Sequence, residues 1–185
     1  IKQEYDVAMI GRLDGEDYEY RREAANMIEK MNVTSNNMYR YYPYEEMVEV
    51  YSKAKVTVNV SRGGYLNEAH LSCLEVMGAG TLLLTTCDGE SGDTHELEQL
   101  GFTEGNHFST FEDLEELRDK IIFYLNHDRE RESMAAQARE ETLKKHTHDQ
   151  RAQRLVEWIS DGISLRAPAR EMSEGEAAEI YVDYL

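Results

Sequence analysis

"LSCLEVMGAGTLLLTT", residues 71–86, predicts a buried helix that passes through small residues into a buried strand. The near-continuous apolar run TLLLTT (81–86) is typical of a strand in a parallel sheet that is covered by helices on both faces. The small residues GAG (78–80) allow close packing and a turn, so we interpret them as scaffold. Glu75 is the exception, because an acid among apolar side chains costs free energy unless a partner meets it.

The segments on either side repeat this alternation of strands and helices. Strand patterns occupy residues 5–13, 55–61 and 106–111, while helical spacing of apolar residues covers 19–31, 44–54, 112–127, 128–146 and 147–160. The order predicts a doubly wound, Rossmann-like α/β domain with a parallel sheet and extra C-terminal helices. We assign residues 1–160 to this domain and 161–185 to a polar, acidic tail. Residues 32–42 are rich in turn formers and short for a strand–helix unit.

Composition limits the classes of partner. The net charge of −17 disfavours generic binding to nucleic acid or anionic membranes, since the field of the whole molecule repels phosphate. No run approaches the roughly 18 apolar residues of a transmembrane segment. Two cysteines and an N-terminus unlike a signal peptide predict a cytoplasmic location with reduced thiols. A start beside a strand, without Met, predicts a piece of a longer protein.

Candidate binding residues gather where strands end. Gly11 and Arg12 follow the first strand, the loop 61–64 with Arg62 follows the second, and 85–88 follow the third. In an open parallel sheet, ligands bind outside these carboxyl ends. The helix that carries Glu75 is predicted to begin near Ala69 or His70, so its first amides and its dipole face the same edge as an anion site.

Each candidate has an ordinary structural alternative. Glu75 either accepts hydrogen bonds from a ribose whose diphosphate sits on the helix start, or is a capping or half-exposed surface acid. Arg12 either binds phosphate bidentately or pairs with a nearby acid of residues 14–17. His70 either donates to a phosphate or is a plain surface histidine. Arg21 and Arg22 begin a helix, where we expect them to be solvated.

Familiar signatures of other chemistries are missing from the sequence. It contains no phosphate-binding P-loop, no strand-following G-x-G-x-x-G and no nucleophile elbow. His146 and His148 are two positions apart, so a shared metal is improbable. The acidic loop after residue 87 misses the EF-hand pattern and is expected to be solvated. The residues therefore predict neither a metal nor a cofactor, and assign no catalytic side chain.

Five stretches together resemble the C-terminal half of GT-B glycosyltransferases of group 1, and in particular the CgeB-like, spore-maturation branch. They are YDVAMIGRL, YPYEEMVEVYSKAKVTVNVS, LSCLEVMGAGTLLLTT, GNHFSTFEDLEELRDKIIFYL and HTHDQRAQRLVEWI. The resemblance implies retaining transfer of a sugar from a nucleotide-diphospho-sugar, which is a co-substrate, without a bound metal. It also implies that Glu75 holds the donor ribose, that Arg12 assists the diphosphate, and that the backbone of the 70–72 turn cradles the phosphates (His70, Leu71, Ser72).

The sequence departs from that family in three ways. Asn67 stands where many members carry the first glutamate of a pair that lies near the donor sugar, the usual lysine after Arg12 is missing, and no N-terminal acceptor-binding domain is present. The resemblance therefore implies at most half of an active site. Two alternatives stay open: a non-catalytic, flavodoxin-like interaction module, and a degenerate transferase domain with a structural role.

Overall fold

A four-stranded, entirely parallel sheet forms the centre of the protein, in the order β1-β2-β3-β4. The strands are β1 (Tyr5–Ala8), β2 (Ala54–Asn59), β3 (Leu82–Thr86) and β4 (Phe108–Phe111). The structure, a computed structural model, describes residues 2–62, 66–89 and 95–164, with side chains up to residue 160. The glycines predicted in the 61–64 loop, the middle of the acidic loop and residues 165–185 of the predicted tail lie outside these ranges.

The described residues form seven α-helices. They are α1 (Glu19–Lys30), α2 (Tyr44–Lys53), α3 (Leu71–Ala79), α4 (Glu96–Gln99), α5 (Leu114–Asn126), α6 (Asp128–Lys145) and α7 (His148–Ser164). A short 3₁₀ helix, Glu16–Tyr18, precedes α1. These elements follow the alternation predicted from the sequence, and α7 includes the first residues of the predicted tail.

The helices cover both faces of the sheet. One face packs Val56, Val58 and Leu84 against the apolar sides of α1 and α5. The other face places Leu83 against α3 and α4. Because neighbouring residues of a strand point to opposite faces, the unbroken apolar run of β3 is buried on both sides. The predicted doubly wound arrangement is therefore present.

The chain changes direction at β1. After α1 it returns along the outer edge of β1, where Val7 and Ser35 form a parallel bridge, before α2 leads to β2 on the other edge. The side chain of Asn36 extends this pairing, since its Oδ1 accepts from the Met9 amide at 2.9 Å and its Nδ2 donates to the Met9 carbonyl at 3.1 Å. The short 32–42 segment thus replaces a full strand–helix unit. Loops diverge between β1 and β2, and a crevice opens there.

The small residues of the opening stretch have the predicted scaffold role. Gly80 ends α3 with φ of 84°, in the left-handed region that glycine adopts without steric cost. A Cβ on Gly78 would lie 3.5 Å from Thr142 Cγ2 of α6, an ordinary packing distance. The glycines therefore end α3 and let α6 approach it.

The chain divides into two compact units, Ile1–His146 and Thr147–Leu185. The second contains α7, which begins with an exchange of hydrogen bonds between Thr147 and Gln150. The boundary between domain and tail at residue 160 stays a prediction. Among the helices of the described residues, none combines the length and the hydropathy that crossing a bilayer requires.

Candidate functional site

A cavity of about 1010 Å³ opens at the carboxyl edge of the sheet, between the ends of β1 and β2. Its walls come from residues 10–14, from residues 38–42, from Asn59 and Arg62, and from the start of α3 at His70 and Ser72. This is the crevice where the chain changes direction, and the position where open parallel sheets bind ligands. It lies in the first compact unit.

The charge of the cavity is opposite to that of the protein. The chain as a whole carries −17, yet the described residues that line the cavity include five arginines and one carboxylate, that of Asp14. The arginines are Arg12, Arg21, Arg22, Arg40 and Arg62. A local cluster of guanidinium groups attracts an anion into a cleft even when the distant field repels it.

Arg12 is at the rim and already has a partner. Its Nε lies 2.8 Å from Asp14 Oδ1 and its second terminal nitrogen 3.0 Å from Oδ2, and both side chains are exposed. This bidentate bond raises the pKa of the Arg12 guanidinium and lowers the pKa of the Asp14 carboxyl group. The structural alternative raised for Arg12 is therefore the arrangement seen here, and its role toward phosphate stays a prediction. Arg40 is likewise paired, with Glu46.

Arg21 and Arg22 are half-buried and bonded to backbone carbonyls, whereas we expected them to be solvated. Arg21 crosses from α1 to donate to the Val60 carbonyl from Nε at 2.9 Å and to the Arg12 carbonyl from Nη1 at 3.1 Å. Arg22 donates to the carbonyls of Leu13 and Gly15 at 2.8 and 2.5 Å. The expectation failed because α1 begins directly under the β1 loop, whose carbonyls accept these bonds.

The start of α3 faces the cavity as predicted. His70 caps the helix with extended backbone and without a side-chain bond, and its carbonyl accepts from the Cys73 amide at 2.9 Å. Ser72 Oγ donates to Asn59 Oδ1 at 3.3 Å, and Asn59 Nδ2 donates to Thr85 Oγ1 at 3.1 Å. The polar chain ties the helix start to the ends of β2 and β3.

His70 carries a polar atom that is buried but not hydrogen-bonded. Its Nε2 makes no hydrogen bond with a described residue and lies 3.8 Å from Glu68 Oε2, which is too far for one. A buried donor or acceptor without a partner costs free energy. Since His70 also lines the cavity, a ligand there is one source of the missing bond.

Glu75 lies one helical turn behind the cavity wall. It is half-buried and is not among the lining residues, but it is close to Tyr51, which is. Burial raises the pKa of the Tyr51 phenol, the negative charge of Glu75 raises it further, and the positive charge of Arg21 opposes both. Glu75 thus sits beside the cavity, and its predicted role toward a ribose stays a prediction.

Two other predicted residues lie away from the lining. Leu71 is exposed at the helix start. Asn67 binds the backbone of two other residues. Its Oδ1 accepts a hydrogen bond from the Asp88 amide, and its carbonyl accepts one from the Glu96 amide, both at 2.9 Å. Gly11 does line the cavity, and a Cβ there would lie 2.8 Å from Arg21 Nη1. The close approach of this guanidinium therefore requires glycine.

Aromatic residues form another part of the wall, and sequence reasoning missed them. Five tyrosines are among the described residues that line the cavity: Tyr18, Tyr39, Tyr41, Tyr42 and Tyr51. Tyr39 and Tyr41 are exposed, whereas Tyr51 is buried. The available signal was the aromatic density of MYRYY (38–42), within the segment interpreted only as turn-rich.

No metal centre is found in the part of the chain that the structure describes, where no three His, Cys, Asp or Glu side chains gather as a ligand set. His146 stacks on Phe102 with ring centroids 4.9 Å apart, in the first compact unit. The predicted absence of a metal stays a prediction.

Known proteins agree with the fold and give the family. The chain is similar to the crystal structure of TarM with a TM-score of 0.58 and 14% identity, over 86% of this chain and 35% of that one. This likeness confirms the predicted α/β fold class, which matches part of a GT-B fold, while its assignment to the C-terminal half stays a prediction. The chain spans about a third of the length of TarM. No curated protein matches the chain. The family model described as "Glycosyl transferase-like" matches residues 3–157, and the chain therefore belongs to this glycosyl transferase-like family.

Proposed function

We propose that this chain is the donor-binding part of a glycosyltransferase and binds a nucleotide-diphospho-sugar in the cavity between β1 and β2. The single observation that carries the proposal is the composition of that cavity, which joins arginines, the start of α3 and a tyrosine wall in one space. A nucleoside diphosphate has a complementary part for each side of the cavity: an anion for the arginines and a flat aromatic base for the tyrosines. The CgeB-like branch and the cytoplasmic location remain predictions.

The cationic side suits the diphosphate. The first amides of α3 and its dipole favour an anion at His70–Ser72, and guanidinium groups match phosphate oxygens bidentately. When the glycosidic bond breaks, the leaving nucleoside diphosphate gains negative charge. Preorganised donors in a cleft stabilise this charge without a metal ion.

The aromatic side suits the base. Tyr39 and Tyr41 are exposed residues of the cavity wall, and stacking of a base on an aromatic ring contributes roughly 1–3 kcal/mol by alanine substitution. The cavity volume of about 1010 Å³ is also at the upper end of the ~300–1,000 Å³ of ligand pockets. Room therefore exists for a base, a ribose and a diphosphate together.

Between these two ends, we assign Glu75 to the ribose. Its carboxylate belongs to α3 and lies beside Tyr51 of the wall, and two acceptor oxygens match the two hydroxyls of a ribose. Transfer with retention, and an acceptor-binding domain that completes the site, follow from the family resemblance. The coverage of only 35% of TarM is consistent with a second domain.

Calorimetric titration with UDP, GDP and their sugars tests the proposal. We expect one of the diphosphates to bind with a stoichiometry of one, and Arg12→Ala to weaken it by up to about tenfold, the effect of one lost phosphate contact of ~1.4 kcal/mol. Glu75→Gln should weaken the ribonucleotide but not its 2′,3′-dideoxy analogue. Arg118→Ala is the matched control, because Arg118 is also an exposed arginine with acidic neighbours but does not line the cavity.

One observation favours a second candidate, a degenerate transferase domain with a structural role. Asn67 replaces the glutamate that many family members place near the sugar, and here its side chain is engaged with the Asp88 amide. If UDP and GDP bind as tightly as the corresponding nucleotide sugars, the sugar contributes nothing to affinity, and this result supports the degenerate transferase domain. If none of them binds, the donor-binding proposal is wrong.

A further inference from the structure

The cavity arginines differ in how their charge is balanced. Arg12 and Arg40 each pair with a carboxylate, Asp14 and Glu46. Arg21 and Arg22 have no described carboxylate within 4 Å, and both donate to neutral backbone carbonyls. The start of α1 therefore brings two guanidinium groups to the cavity whose charge no described carboxylate balances at that distance.

Arg21 is the more confined of these two charges. It is partly buried between the ring of Tyr18, 5.0 Å away, and the carbonyls of Val60 and Arg12. Burial lowers the pKa of its guanidinium, and no carboxylate contributes to this shift. A buried charge without an opposite partner is costly, so the fold tolerates it at the expense of stability.

The surroundings hold Arg21 in place for a ligand. Its bonds reach the ends of both β1 and β2, the strands between which the cavity opens, and Gly11 leaves room for Nη1. A planar guanidinium that is already fixed loses little entropy when it binds, and its remaining N–H donors adjoin the cavity that it lines.

We infer that Arg21, with Arg22 beside it, is the main electrostatic anchor for the diphosphate, and that Arg12 contributes less because Asp14 neutralises it. This inference rests on the proposed function, and extends it by assigning the charge to two residues of α1. The ligand supplies a counter-charge that no described carboxylate within 4 Å of Arg21 or Arg22 supplies. Arg21 thus acts on the diphosphate directly, besides linking the two strand ends.

The test uses the full chain and two charged probes, inorganic pyrophosphate and UDP. Uridine is the uncharged counterpart of UDP. We expect Arg21→Gln to weaken pyrophosphate and UDP by about tenfold or more, the range of a lost hydrogen bond to a charged group, while uridine binding changes less than twofold. Arg12→Gln should change pyrophosphate binding less than Arg21→Gln does. Arg118→Gln, on the surface of α5, is the control.

A second variant covers the case in which Arg21→Gln fails to fold. Gly11→Ala keeps the charge but places a Cβ 2.8 Å from Arg21 Nη1, so the flexible end of the side chain has to move. We expect a folded protein with weakened pyrophosphate binding and unchanged binding of uridine.

The outcomes separate this inference from the proposed function. If the parent chain binds neither UDP nor pyrophosphate, both are wrong. If it binds them and Arg21→Gln leaves the affinity unchanged, only the inference is overturned. If Arg21→Gln weakens uridine by the same factor as UDP, Arg21 is merely structural and the inference is again overturned. Loss confined to the charged probes supports it.

Discussion

Two glycines in the stretch that ends α3 should respond to the same substitution with opposite sign. Gly80 has φ of 84°, whereas Gly78, two residues earlier, is inside the helix and outside the left-handed region. Alanine at either position adds one methyl group. The difference between the two variants therefore isolates backbone conformation, because the chemical change is identical.

The structure sets the size of the effect. An L residue in the left-handed region costs about 1–2 kcal/mol, and a Cβ at Gly80 would also lie 3.0 Å from Arg139 Cδ, a flexible side chain that can shift. In a helix interior, alanine is more favourable than glycine by roughly 1 kcal/mol. The new methyl at Gly78 would meet Thr142 Cγ2 at 3.5 Å, so packing does not oppose this gain. We expect the two variants to differ by about 2–3 kcal/mol.

Urea unfolding followed by circular dichroism measures the free energy of unfolding of both variants. In a thermal scan, their midpoints should differ by roughly 4–12 °C, given about 2–4 °C per kcal/mol for a domain of this size. Gly80→Asn is a useful third variant, since Asn enters the left-handed region more readily than Ala and should recover part of the loss. If Gly80→Ala is as stable as Gly78→Ala, or more stable, the assignment of Gly80 as a left-handed helix cap is wrong.

Three further predictions test the scaffold around the cavity. Asp6→Ala should lower the free energy of unfolding by about 2 kcal/mol, because the carboxylate accepts from Thr34 and Lys55 at 2.7–2.9 Å. Although burial raises the pKa of Asp6, these bonds lower it overall. The contribution of Asp6 to stability is therefore complete above about pH 4 and is lost as the pH falls through the folded-state pKa. If Asp6→Ala lowered the free energy of unfolding equally at pH 7 and pH 2, this reasoning would be wrong. Asn36→Ala should cost about 2–4 kcal/mol in a urea titration, since two backbone groups of Met9 lose their partner, while exposed Asn37→Ala should stay within ~0.5 kcal/mol. Burial raises the pKa of the Cys73 thiol to about 12, so in the native protein it should react with a disulfide reagent at least on the order of tenfold slower than half-exposed Cys87, a comparison made with Cys87→Ser and Cys73→Ser.

The sheet and its helices were predictable because burial leaves a periodic record. The run of β3 (LLLTT) is buried at every position, and a short run of this composition after small residues is typical of a covered parallel strand. The start of α3 at Leu71 lies one or two residues after the predicted start at Ala69 or His70.

The segment before Pro43 could not be predicted in the same way. Its pairing with β1 is a single bridge at Ser35, and the pairing is completed by the Asn36 side chain instead of by a second strand residue. A bridge of one residue has no hydrophobic period. Asn is also one of the commonest residues in turns, so Asn36 indicated a turn and not a pairing with β1.

The electrostatics of the cavity depended on pairing, which composition does not encode. Arg12 follows a strand and was the natural phosphate ligand, but Asp14, two residues later, meets its guanidinium. Arg21 looked like an ordinary residue at a helix start, and became a confined charge because α1 brings it under the carbonyls of Arg12 and Val60. The guanidinium group of Arg12 is therefore neutralised by a carboxylate, whereas that of Arg21 has no carboxylate within 4 Å among the described residues. An acidic protein can bind an anion wherever its own carboxylates are kept away from a few arginines, so in this family the arginine to look for is the one whose nearest acceptors are neutral.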